Sequence, residues 1–140
     1  MQLTKLTDLA LRVILQLARV DGMATTGLAA AVGAADDDLE PILGHLRRLG
    51  LVEGSRGDRA RLAPGGRGVS IGWIARALEG SGEVVDCDGG TPCPFVHGCR
   101  LRTALHQAQE AFFRVLDPIT VDDVARNTAI RVEILPIGAR

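Results

Sequence analysis

Every cysteine in the chain lies in one short stretch, CDGGTPCPFVHGC, where Cys87, Cys93 and Cys99 follow one another with five residues between each consecutive pair. The opening MQLTKLTDLALRVILQLA is interrupted by Lys5, Asp8 and Arg12, and no small-residue cleavage site follows an apolar core, so it reads as neither signal peptide nor membrane span. A cytoplasmic, reducing compartment is expected, and three thiols could not all pair as disulfides in any case. Thiols crowded into one loop point to a metal. Gly-Gly, Thr-Pro and Gly98 between them let the loop wrap around something wider than one ion. A cubane iron–sulfur cluster suits that description, three thiolates leaving one iron for a different ligand. Structural zinc, with His97 or His106 completing a tetrahedron, is the rival reading, although zinc sites usually begin with cysteine pairs two to four residues apart and none is present. A loop that holds no metal is the third.

Composition narrows the remaining choices. At 140 residues the chain makes one domain, or one domain with a tail. Aromatic residues are 3% and tyrosine is absent, so there is no stacking platform for single-stranded nucleic acid. With a formal net charge of −1, binding to duplex DNA has to come from local basic patches. No Ser-His-Asp arrangement, phosphate loop or pair of catalytic carboxylates is recognisable, and an enzyme is not expected.

Apolar residues recur at helical spacing from Thr7 to Val20, with Leu9, Val13 and Leu17 on one line and Leu6 leading in, which predicts an amphipathic helix ended by Asp21-Gly22. Asp8 falls in its opening turn, where a carboxylate complements the helix dipole. In TTGLAAAVGAADDDLEPILGHLRRLG, Thr25 or Thr26 can cap a short helix to Val32, Gly33 can close it, and Asp36 to Asp38 can cap a second helix running to Leu49. Pro41 fits only in a first turn, which puts the start of that helix at Asp37 or Asp38. Two helices across a short Gly-containing turn make a helix-turn-helix. Residues 51–63, LVEGSRGDRARLA, alternate as two strands about a two-residue turn at Gly57-Asp58, and a helix-turn-helix followed by a hairpin is a winged helix. Arg56, Arg59 and Arg61 decorate the wing, with Arg47 and Arg48 just before it, and these five are the expected DNA contacts.

After a loop at 64–68, VSIGWIARALEG predicts a further helix with Trp73 and Leu78 in the core. Beyond the cysteines, Leu101, Leu105, Ala108, Phe112 and Val115 or Leu116 form an apolar stripe over about eighteen residues, roughly 27 Å of helix. A stripe that long on so small a domain calls for a second subunit, and a homodimer is expected. Asp117-Pro118 ends the helix, and TVDDVARN reads as one short turn capped by Thr120. The fold is mostly α: a winged helix-turn-helix domain over 1–80, a cluster-binding loop over 81–99, a long dimerisation helix with its following turn over 100–125, and a tail over 126–140.

LTKLTDLALRVILQLA, the winged helix, GVSIGWIARALEG and then VVDCDGGTPCPFVHGCRLRTALHQAQEAFFRVLDPITVDDV together resemble the Rrf-type winged-helix repressors of bacteria, and within them the nitric-oxide-sensing branch. The most specific parts are the three-cysteine loop continuing into GCRLRTAL, and LDPITVDDV after the long helix. The resemblance implies a dimer joined through the long helix, acting on double-stranded operator DNA, with one [4Fe-4S] cluster per subunit. Carried onto the matching positions, it makes Cys87, Cys93 and Cys99 cluster ligands and Asp8 the fourth, reaching across to the other subunit. Related cluster-biogenesis regulators carry a histidine three residues after the last cysteine, and that position is Arg102 here. The implied function is repression of transcription, relieved when nitric oxide reacts with the cluster.

The DNA-facing end departs from that pattern. The recognition helix opens with Asp36, Asp37, Asp38 and Glu40, which repel phosphates, and the wing reads RGDRARLA where a run of glycines is usual. The alternative is an interaction protein of the same fold, holding zinc or a redox-sensing cluster and lacking specific DNA binding.

Overall fold

The computed structural model describes residues 1–126; the expected tail over 126–140 lies, past its first residue, outside the described residues. The first helix, α1 (Lys5–Arg19), starts ahead of Thr7 because Thr4 caps it, its hydroxyl accepting from the Thr7 N–H at 3.2 Å. Its buried face is the expected one, Leu9, Val13 and Leu17 being joined by Ala10, Ile14 and Ala18. Each large side chain withdrawn in this way contributes about 1.5–3 kcal/mol relative to exposure.

Met23–Ala24 (β1) pairs antiparallel with Arg59–Leu62 (β3), a strand too short at two residues to leave a hydropathy pattern. The pairing holds Ala24 extended at the mouth of α2 (Thr25–Val32), so Ala24 is the N-cap and neither Thr25 nor Thr26 caps. Gly33 closes α2 in the left-handed region, as expected. The recognition helix α3 (Asp36–Arg48) is capped by Ala35, which places Asp36, Asp37 and Asp38 inside its first turn, complementing the dipole without capping. Pro41 is consequently the sixth helical residue and not in the first turn. Having no N–H, it leaves the Asp37 carbonyl without its helical donor, and its ring sits on the exposed side, where solvent can take over.

A Schellman turn ends α3: the Gly50 N–H (φ 71°) donates to the Arg47 carbonyl and the Leu51 N–H to the Leu46 carbonyl, both at 2.9 Å. β2 (Val52–Glu53) follows at once and pairs with β3 in the register Val52↔Leu62, Glu53↔Arg61, giving a sheet of order β1-β3-β2. The two-residue turn expected at Gly57-Asp58 is not formed. The wing tip is wider, closed by the Asp58 N–H on the Ser55 carbonyl at 3.0 Å. Its width comes from a crossing: Gly54 (φ 116°) lies against the Arg59 backbone, where any Cβ would collide, and Arg59 and Ala60 pair with β1 instead.

Helix α4 (Ile71–Glu79) buries Ile71, Ile74 and Ala75, with Leu78 half-buried on the same line. Trp73 projects from the opposite side and is 47% exposed, so it is not the core residue expected. The long helix α5 (Arg100–Leu116) crosses α4 at Gly72, where a Cβ would lie 2.6 Å from the Asp117 nitrogen and 2.8 Å from the Phe113 carbonyl oxygen. Phe113, not part of the predicted stripe, is the side chain α5 buries, its ring 4.8 Å from the Arg76 guanidinium. The stripe is covered only in part: Leu101 is 64% and Val115 69% exposed, whereas Leu105, Phe112 and Leu116 are half-buried.

After Pro118 the chain returns to the winged helix. The Ile71 N–H bonds the Ile119 carbonyl at 2.8 Å and the Val121 N–H bonds that of Val69 at 3.0 Å. Helical residues 121–126, capped by Thr120, then drop Val121 and Ala125 into the core shared with α1. Arg67 fastens the return, donating to the Ala18 carbonyl and pairing with Asp122 at 3.0 Å. The crossing at Gly72 can be tested by urea denaturation. Gly72→Val should lose about 2 kcal/mol or more, because the added atoms meet backbone that no rotamer change relieves. Gly82→Ala, whose Cβ meets nothing within 4 Å, should be near neutral, and equal midpoints for the two variants would contradict the crossing.

Candidate functional site

The cysteine loop joins the end of α4 to the start of α5 and is drawn together by its own backbone. The Cys93 N–H bonds the Cys87 carbonyl at 3.0 Å, and the Val96 N–H bonds that of Cys93 at 3.2 Å. Gly89 lies so close to the Asp86 carboxylate that any Cβ would collide with it. Cys87 is buried, Cys93 and Cys99 are half-buried, and all three are free thiols. Cys99 is the N-cap of α5, its sulfur accepting from the Arg102 N–H at 3.4 Å. Arg102 spans the loop by pairing with Glu83 at 2.7 Å and Asp88 at 3.3 Å. Burial pushes the Cys87 thiol up, and the nearby Arg102 charge partly opposes it.

Among the described residues, no three Cys, His, Asp or Glu side chains converge closely enough to hold a metal ion. The donor set fits a wider thiolate-bound group: three free sulfurs on one backbone-braced loop, set at the positive end of a helix. Asp8 is not gathered with these cysteines within one chain. It stands on the outer side of α1, held by Arg12 at 2.7 and 3.0 Å.

The five arginines expected on DNA are dispersed. Arg48 and Arg56 line one trough between α3 and the wing, together with Asp36, Asp37 and His45, and Arg48 lies 2.8 Å from the His45 ring nitrogen. Arg59 and Arg61 line a separate cleft with Asp21 and Asp58, where Arg59 donates to the Gly22 carbonyl at 2.6 Å and Arg61 pairs with Glu53 at 3.3 Å. Arg47 is turned back along its helix onto Glu40 at 2.7 Å, its other two nitrogens buried without a hydrogen bond. Lys5, not singled out from the sequence, bridges α1 to the start of α3 by pairing with Asp38 at 2.6 Å. Nothing in the local sequence signals a pair 33 residues apart.

A family model described as Rrf2, iron-dependent transcriptional regulator, matches residues 3–127. The chain belongs to the Rrf2 family. It is 49% identical to the HTH-type transcriptional repressor NsrR of Streptomyces coelicolor, over 89% of this chain and 88% of that one. It is 39% identical to the HTH-type transcriptional regulator NsrR of Geobacillus kaustophilus, over 92% of each. Among solved structures, T. potens IscR matches with a TM-score of 0.68 at 22% identity, covering 91% of this chain and 88% of that one, which is a likeness of fold. This Rrf2 protein is a DNA-binding transcriptional repressor, and its fold is the mostly helical winged-helix arrangement expected. No helix among the described residues is long and apolar enough to cross a membrane.

The loop geometry makes a chemical prediction for the metal-free protein at neutral pH. Iodoacetamide should modify Cys93 and Cys99 before Cys87, because the buried thiol is both less accessible and less ionised. Peptide mapping of a time course checks the order; Cys87 reacting first would show that the loop opens more than its contacts imply.

Proposed function

We propose that this Rrf2 repressor is a cytoplasmic homodimer that binds double-stranded operator DNA and senses nitric oxide through a [4Fe-4S] cluster, nitric oxide lowering operator affinity. Cys87, Cys93 and Cys99 of one chain would hold the cluster, with Asp8 of a second chain as the fourth ligand. The single observation carrying this reading is the loop itself, three free thiols on one braced segment that ends at the N-terminus of α5. The two relatives named NsrR support the same reading. When bound, the cluster supplies iron that takes up nitric oxide, most readily beside a carboxylate, a harder ligand than thiolate.

The chain's own residues account for how a change at Asp8 reaches DNA. Arg12 fixes the Asp8 carboxylate on α1, and one turn earlier Lys5 holds Asp38 in the first turn of the recognition helix. Beneath that pair, Leu6 and Leu9 of α1 face Pro41 and Ile42 of α3 across a shallow apolar cleft. A shift of α1 is therefore delivered to the start of α3. The partly covered stripe on α5, most exposed at Leu101 and Val115, is the surface that a second copy would bury.

Protein purified without oxygen should be brown and contain iron with acid-labile sulfide. Replacing Cys87, Cys93 or Cys99 by Ala should abolish the visible absorption or leave it labile, whereas Asp8→Ala should keep the fold and lose the cluster faster. Stoichiometric zinc without sulfide would refute the proposal. For the dimer, Phe112→Asp should give monomers by light scattering and abolish cooperative operator binding. A monomeric wild-type protein at micromolar concentration would contradict it.

A further inference from the structure

We propose that Asp37 is a sequence-reading residue that accepts a hydrogen bond from a cytosine amine in the major groove, and that the acidic start of α3 filters sequence while lowering overall affinity for DNA. The proposal rests on the repressor assignment and does not depend on which metal group the loop holds. Four acids in five residues are poor neighbours for phosphate, but the structure separates them into two pairs. Asp38 is neutralised by Lys5 at 2.6 Å and Glu40 by Arg47 at 2.7 Å. Asp36 and Asp37 make no ion pair among the described residues and are exposed in the trough between α3 and the wing.

Asp37, Pro41, Gly44 and Arg48 succeed one another at four, three and four residues, a single line along the outer side of α3. That line is bipolar, with a carboxylate at its beginning, a guanidinium at its end, and a second guanidinium, Arg56, facing it from the wing. Between the charges stand only a proline ring and a glycine, so a duplex can approach the helix closely along its middle. The phosphates then settle on Arg48 and Arg56, and the N-terminal end of the helix enters the groove, the end that reaches base edges in helix-turn-helix proteins. A carboxylate can only accept. The donors a base pair offers in the major groove are the amines of cytosine and adenine, and cytosine N4 is the habitual partner of Asp and Glu. Such a contact repels the backbone of a misplaced duplex and is repaid only where the amine is present.

Selection of bound duplexes from a random library, using anaerobically purified wild-type, Asp37→Asn and Asp37→Ala proteins, tests this directly. The wild type should enrich cytosine at one position of each half-site. Asp37→Asn should shift that position to adenine, whose N6 and N7 an amide can grip together, and Asp37→Ala should leave it degenerate, a loss of preference of about tenfold. Both variants should bind a fixed mixed-sequence duplex more tightly than the wild type does. Arg48→Ala should retain the cytosine preference, weaken binding to every duplex and reduce the salt slope by about one. Adenine at that position in the wild type, or an unchanged preference in Asp37→Ala, would overturn the proposal and leave the repressor assignment standing. Enrichment of no sequence by the wild type would remove both.

Discussion

The apolar face of α1 is the surface on which the molecule is assembled. Ala10, Val13 and Ile14 are wholly withdrawn from water, and α2, α3, α4 and β3 all lie against this helix. Close-packed interiors deform little and pass displacement on, so α1 cannot rotate or slide without disturbing each neighbour. The outward side of the same helix carries Lys5, Asp8 and Arg12, which the core does not require. Packing and chemistry are thus divided between two sides of one fifteen-residue element.

Charge on the DNA side is arranged for geometry more than for stability. The Lys5–Asp38 pair is largely exposed, and exposed pairs are worth roughly 0–1 kcal/mol. Its effect is to remove one carboxylate from the field that a phosphate would feel, as Arg47 does for Glu40. What remains on the outer side of α3 is a short gradient from acid to base. A surface of that kind aligns a polyanion in one direction along the helix, even in a chain whose net charge is close to neutral.

Much of this was legible in the sequence wherever a local rule acts alone. The 3.6-residue period exposed the buried face of α1, and Gly33 and Gly50 marked helix ends because only glycine takes a left-handed conformation without strain. The cysteine spacing marked the loop. Failures came where two distant segments decide together. Ala24 displaced the threonines as a cap because β1 pairs with β3, and Phe113 took the buried place because α4 and α5 meet at Gly72, which leaves Trp73 outside. The pairing of Arg47 with Glu40, two turns earlier on the same helix, was not read from the sequence either. The ligand role proposed for Asp8 comes from resemblance alone, since within one chain its visible partner is Arg12.

The Schellman turn at Gly50 joins the recognition helix to the first strand of the wing with no intervening loop. Helix and wing therefore behave as one rigid caliper: whatever tilts α3 swings the wing tip through the same angle. A small rotation at the root of the helix is thereby carried to the turn that holds Arg56.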